Sequence, residues 1–260
     1  MLRALYSAAA GMESQQMNLD VISNNLANVN TTGYKESKLE FQDLLYQTTR
    51  AAGSEQGGGN QLPGSLQIGQ GAIPIATERV FTNGELSQTG GDLDVAIQGA
   101  GFFQVQMPDG TLAYTRDGGF KTNSEGQIVT SDGYPVQGGF QPVPSDTTNI
   151  TISASGAVTY TTPSGVTTSQ IQLANFNNPG GLEAVGHNLF KETPASGTAE
   201  LAEPTQSGLG ELQQGYLELS NVSVVQEMVN LILAQRAYEV NSKAVQAADQ
   251  MMQDSNNLQR

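Results

Sequence analysis

The chain has 260 residues, a formal net charge of -14, a pI near 4.3 and no cysteine. Disulfides, thiolate chemistry and cysteine-based zinc sites are thereby excluded, and nucleic acid or an anionic membrane surface is a poor main partner, since both require a basic patch. Charged residues make up 14% of the chain, against about 25% in soluble domains; amides, hydroxyls and glycine replace them. Uncharged polar surface suits a protein that packs against identical copies, because like charges repel at every repeated contact. An ordinary acidic secreted protein has the same composition.

Residues 2 to 30 read as one helix. Leu5, Met12, Leu19 and Leu26 recur every seven residues, the seam of a helix that packs on another helix. Met1 to Gly11 carries an Arg and an Ala8-Ala9-Ala10 run that mimic a signal peptide. Tyr6 and Ser7 interrupt its short apolar core and the heptad runs through it, so it reads as retained sequence. Asn24, Asn25 and Asn28 sit where charged residues are usual; amides both donate and accept, so they can pair across an interface. Gly33 is placed for a left-handed C-terminal cap. Residues 38 to 50 are apolar and of uncertain class. Residues 51 to 71, with Gly57-Gly58-Gly59 and Pro63-Gly64, read as an extended connector.

From about 73 to 205 the apolar period becomes two, with strands expected at 95–97, 102–107, 112–115, 127–130, 150–152, 158–160 and 169–174. Asn83-Gly84, Asp109-Gly110, Asp117-Gly118 and Asp132-Gly133 read as tight hairpin turns. Residues 206 to 216 form a glycine-rich return. A second heptad then runs through Leu217, Val224, Leu231, Tyr238, Val245 and Met252, with Asn221 or Ser223 as the helix cap. Gln235, Ser242 and Asp249 narrow that seam, which leaves its second half marginal without partners. No run of about 18 apolar residues is present to span a membrane.

Little chemistry emerges. His187 stands alone in a turn-like stretch, without a second base for a nucleophile relay. Gly99-Ala100-Gly101 lacks the third glycine and following helix of a dinucleotide loop. Asp92 and Asp94 lack the spacing of a calcium loop. No catalytic, cofactor or metal site is expected. The fold expected is α+β: terminal helices (1–35 with 217–260) pairing as an elongated, coiled-coil-like layer, connectors at 36–72 and 206–216, and a central all-β sandwich- or barrel-like domain at 73–205. The self-assembly interface expected is Leu5, Met12, Leu19, Asn24, Asn25, Leu26, Asn28 and Gly33 with Leu217, Val224, Leu231, Tyr238, Val245 and Met252. Two other readings stay open: a secreted β-rich binding module with helical oligomerisation ends, and, more weakly, an enzyme acting on cell-wall glycan.

Three stretches carry a family likeness. Ser23-Asn24-Asn25-Leu26-Ala27-Asn28-Val29-Asn30-Thr31-Thr32-Gly33-Tyr34-Lys35 resembles the N-terminal signature of bacterial flagellar rod and hook proteins. Residues 94 to 103 (Asp-Val-Ala-Ile-Gln-Gly-Ala-Gly-Phe-Phe), with Tyr114-Thr115-Arg116-Asp117-Gly118, look like that superfamily's central motif. Ser220-Asn221-Val222, Gln235-Arg236-Ala237-Tyr238-Glu239 and Asp249-Gln250-Met251 resemble its C-terminal part. Residues 41–48 and 62–69 look most like its distal-rod branch; a proximal-rod or hook-type subunit is the nearest alternative. The resemblance implies a structural subunit of the flagellar basal body, exported by the flagellar type III apparatus without a cleaved signal and located across the periplasm. It implies a helical homopolymer in contact with proximal rod proteins, hook protein, rod cap and P- and L-ring proteins, with no nucleic acid and no membrane insertion.

Overall fold

The structure, a computed structural model, describes residues 2–52, 64–144, 146–163 and 165–257. The glycine run at 57–59 and Leu62-Pro63 of the expected connector lie outside the described residues. Two helices and many short strands make the fold α+β. By internal contacts the chain divides into one unit of 1–26, 37–78 and 224–260 and another of 27–36 and 79–223. These divisions fall elsewhere than the expected boundaries. The turn after the first helix and the strand before the last one belong with the β-rich unit, and most of the expected first connector belongs with the helices.

In the first unit α1 spans Leu2–Ala27 and α2 spans Val224–Asn257. The first helix stops three residues short of the expectation because Asn28 takes over locally. Its carbonyl accepts from the Thr31 N–H at 3.1 Å and its side chain from the Thr31 hydroxyl at 3.2 Å, the kind of turn with which short polar side chains compete against helix. The second helix starts later than its heptad. Leu217 lies in the strand Tyr216–Glu218, paired with Ser87. Asn221 does not cap the helix: its amide donates to the Val80 and Thr82 carbonyls at 2.8 and 3.4 Å and its oxygen accepts from the Glu36 N–H at 2.7 Å. Between the helices in sequence, Ser37–Asp43 pairs with Ala72–Arg79, and Gln47–Arg50 with Leu66–Ile68. These strands replace much of the expected unstructured connector.

The second unit is built of small sheets. Strands Phe103–Gln106, Leu112–Thr115, Leu189–Lys191 and Glu183–Gly186 form one of four strands, and Asn149–Ile152, Ala157–Thr162 and Gly165–Gln170 one of three. Two-stranded pairings, such as Val95–Gln98 with Glu211–Gln214, complete it. Among the described residues there is no closed barrel and no pair of broad sheets, which corrects the sandwich or barrel expected. The unit's strands of two to six residues are cut by left-handed glycines and pair in twos, threes and fours. Successive strand residues point to opposite faces. Phe103 accordingly enters the main cluster with Val95, Ile97, Val158 and Leu212, while its neighbour Phe102 enters a second with Tyr114, Phe176 and Phe190. In the second cluster the rings meet edge to face, at 5.6 Å for Phe102 with Phe176 and 4.8 Å for Tyr114 with Phe176, the arrangement that ring quadrupoles favour.

Of the expected turns, Asp109-Gly110 and Asp132-Gly133 carry glycines at φ +80° and +87°. Asn83-Gly84 and Asp117-Gly118 are not hairpin tips. Their glycines make room for a neighbouring backbone: a Cβ on Gly118 would fall on the Val95 carbonyl.

Candidate functional site

α1 and α2 run antiparallel within the first unit. The Asn25 amide lies 3.3 Å from the Glu227 carboxylate, and a Cβ on Gly11 would lie 2.8 Å from the Asn241 amide nitrogen. These contacts are fourteen residues apart on both helices (11 to 25, 241 to 227), two heptads, as a coiled-coil seam requires. The seam is not the leucine stripe. The buried positions are Ser14, Ile22 and Asn25 on α1 and Glu227, Ala234 and Ala248 on α2. Leu5, Met12, Leu19 and Leu26, like Val224, Leu231, Val245 and Met252, are half-buried along its flanks, and Tyr238 and Asn24 are exposed. Gln235 and Asp249 are exposed as well; the second stripe of α2 lies three residues after the first, not four, and contains no large apolar side chain. That stripe was readable as Glu227-Ala234-Asn241-Ala248. A search for large apolar side chains passes over it.

Buried Asn25 is fully used. Its oxygen accepts from the Ser37 N–H at 3.0 Å, and its amide donates to the Ser37 carbonyl at 2.9 Å and to Glu227. Ser14 donates to the Ala72 carbonyl at 3.0 Å. Both side chains tie the strands of the first unit onto α1.

The second unit holds a buried charge node. Lys35 Nζ lies 2.6 Å from Glu218 Oε1, Arg116 Nη1 lies 3.4 Å from Glu218 Oε2, and the three side chains are 0%, 0% and 2% exposed. Lys35 also donates to the Thr82 carbonyl at 2.7 Å. Glu218 Oε1 accepts from the Gly84 N–H at 2.9 Å, and Arg116 Nη2 donates to the Gly99 carbonyl at 2.7 Å. Gly99-Ala100-Gly101 is thus a backbone acceptor for an arginine rather than a phosphate loop. Burial lowers the Lys35 pKa against the opposing pull of Glu218, and lowers that of Arg116 in the same way. Burial raises the Asp117 pKa, opposed by hydrogen bonds from the Gly119 N–H and Thr32 and assisted by Asp94 and Asp132.

Gly33 shows why this node admits no side chain beside it. It lies at φ +68°, its N–H donates to the Glu218 carbonyl at 2.8 Å, and a Cβ there would lie 2.6 Å from the Asp117 nitrogen. Its left-handed geometry serves close approach of backbones, several residues beyond the end of α1. Glu218 was not singled out in the sequence. A lone acid beside the first position of the expected C-terminal heptad carries no signal until its two cations are placed around it.

Among the described residues no group of three or more His, Cys, Asp or Glu side chains could hold a metal, and no helix is long and apolar enough to cross a membrane. His187 pairs at 3.3 Å with Asp132 on the surface, and Asp94 accepts from the Thr89 hydroxyl at 2.5 Å.

The node draws Lys35, Arg116 and Glu218 from the beginning, middle and end of the chain, and the seam joins its two terminal helices. A chain whose distinctive residues are spent on stitching its own segments together defines the structural class of protein, organised around terminal helices. Three family models match the same three regions: flagella basal body rod protein at residues 5–35, the flagellar hook protein FlgE/F/G D1 domain at 96–160, and the flagellar basal body rod FlgEFG protein C-terminal region at 213–258. The chain is 51% identical over 261 residues to flagellar basal-body rod protein FlgG of Caulobacter vibrioides, covering 99% of each chain. It is 48% identical to the protein of that name from Borreliella burgdorferi and 41% identical to the one from Bacillus subtilis, with full coverage of both chains in each case. The chain belongs to the flagellar basal-body rod protein family.

Proposed function

We propose that this chain is a structural subunit of the distal rod of the flagellar basal body, assembling with copies of itself into a helical tube through which other flagellar proteins are exported. Full-length similarity to proteins named for the rod supports the identity. The observation that carries self-assembly is an apolar face of α2 left uncovered by the described chain. Val225, Ile232, Leu233 and Val240 are 74%, 55%, 62% and 64% exposed, on a helix whose other face already packs on α1. Exposed apolar patches of this kind mark interaction surfaces. The half-buried flanks Leu5, Met12, Leu19 and Leu26, with Val224, Leu231, Val245 and Met252, border the seam and extend that surface. Asn24, by its amide, and Tyr238, by its hydroxyl, add polar groups on the same two helices, while Asn28, Gly33 and Leu217 shape the turn and strand that lead into the helices.

In this reading the chain performs no catalysis. Its partners are further copies, proximal rod proteins, the hook protein, the rod cap and the P- and L-ring proteins, and its place is the basal body where it crosses the periplasm. Low surface charge density favours stacking of like subunits, and raised ionic strength screens the residual repulsion of -14 charges per copy. The test is polymerisation of purified protein followed by negative-stain electron microscopy, with Val225→Asp/Ile232→Asp as the variant. Wild type forms tubes. The variant keeps its circular dichroism and remains monomeric, and in cells lacking the native gene it fails to restore motility. Normal tubes from the variant would remove α2 from the interface.

A further inference from the structure

The second unit contains a cationic hollow that self-assembly through α2 does not use. Arg79 ends the strand Ala72–Arg79. Its guanidinium lies 5.5 Å from the ring centroid of Tyr34 and 5.5 Å from that of Phe190. One nitrogen donates to the Lys35 carbonyl at 3.3 Å, and none of the ion pairs among the described residues involves this arginine. Arg79 lines a hollow of about 320 Å³ with Asn28, Tyr34, His187, Asn188 and Phe190, and no Asp or Glu lines it. In a chain with 25 acidic and 11 basic residues, a hollow lined by arginine and amides with no acid is selective by charge alone.

Ring stacking fixes the plane of a guanidinium and leaves its N–H edges as its polar outlet, the geometry that a carboxylate meets with two parallel hydrogen bonds. Arg79 is half-buried, and partial removal from water strengthens such a pair over a fully exposed one. Asp132 lies 3.3 Å from His187 and is not among the residues that line the hollow. We propose that this hollow binds a carboxylate, supplied by an Asp or Glu side chain of a second copy of this chain. The source of the carboxylate rests on the self-assembly reading; the chemistry of the hollow does not.

The test has two arms. In the first, dilute full-length monomer is titrated with glutarate at constant ionic strength and followed by amide NMR. Saturable shifts at Asn188 and Phe190 are expected, with a Kd in the millimolar range, weakened about tenfold in Arg79→Gln and less in Arg79→Lys. Absence of saturation in a folded wild type overturns the site, as does equal binding by Arg79→Gln. In the second arm, the concentration needed for polymerisation is measured. Arg79→Gln raises it about tenfold, and glutarate raises it for wild type alone. Glutarate binding with unchanged assembly of Arg79→Gln overturns the second copy as the source. If wild type forms no polymer at all, the self-assembly reading falls while the first arm still decides the hollow.

Discussion

Glu218 carries the buried node. It is the carboxylate that lies between these two cations, and removing its charge leaves both of them buried without a counter-charge. Breaking one side of a buried ion pair destabilises by about 3–5 kcal/mol, so Glu218→Gln should lower the unfolding free energy in urea by that order. Lys35→Met should be milder, because Arg116 still neutralises the carboxylate and the methionine fills much the same volume. Nearby, Asp117 offers a pH signature. Burial holds its pKa above the ordinary 3.8, so between that value and its folded pKa the folded protein keeps the proton more firmly than the unfolded chain does. The contribution of this carboxyl is fully present below 3.8 and is lost as pH rises through its folded pKa. Asp117→Asn can still accept from the Gly119 N–H and the Thr32 hydroxyl. Its stability should stay within about 1 kcal/mol of wild type at neutral pH, and the stabilisation that wild type gains on mild acidification should disappear. Thermal unfolding across that pH range checks both statements.

At the scale of the element, the helical pairing was legible in outline and misread in detail. A seven-residue repeat at each end announced two helices that pack, and the structure pairs them. The contact line, however, follows Gly11, Ser14, Ile22 and Asn25 against Glu227, Ala234, Asn241 and Ala248, where Asn25 bonds Glu227 and the small Gly11, Ser14, Ala234 and Ala248 leave room beside them. Leucine periodicity locates a seam to within about one helical position, and only facing partners decide which stripe is innermost. The short strands were read from their period of two, including 112–115 at its observed bounds. The strands at 37–43 and 47–50 lie in the stretch of uncertain class: Gln47–Arg50 is exposed throughout and shows no alternation, and Ser37–Asp43 alternates in burial only over its first four residues. Gly11 tests the seam. Its nearest neighbour is the movable end of the Asn241 side chain, so Gly11→Ala should stay close to wild type: a small displacement is offset by the roughly 1 kcal/mol helix preference of alanine. Gly11→Leu cannot be accommodated that way and should destabilise the first unit by about 1–3 kcal/mol, read as an earlier helical transition in circular dichroism with the aromatic near-ultraviolet signal of the second unit unchanged.

For the whole molecule, the boundaries that matter are those drawn by the stitching residues rather than by composition. Glycine-rich runs advertised connectors, and sequence alone placed the domain limits at those runs. Yet residues 27–36 belong with the β-rich unit because Gly33, Lys35 and Glu36 are bound to Glu218 and Asn221, residues some 180 positions later. No local pattern reveals such a pairing, since neither partner is unusual until the chain closes. This division yields a sharp expectation for truncation. A fragment of residues 27–223 retains the Gly33 N–H to Glu218 carbonyl bond, the Lys35–Glu218 pair and the Glu36–Asn221 bond, and should unfold cooperatively with native near-ultraviolet dichroism. A fragment of residues 37–223 loses all three, together with buried Tyr34 and the Thr32 hydrogen bond to Asp117, and although Arg116 still neutralises Glu218 the summed loss of packing and hydrogen bonds should make it less stable by about 3–5 kcal/mol. Both lack α1 and α2, so neither should polymerise, and the difference between them reports what residues 27–36 contribute to the β-rich unit. Equal urea midpoints for the two fragments would show that the N-terminal turn is only laid against the β-rich unit and not built into it.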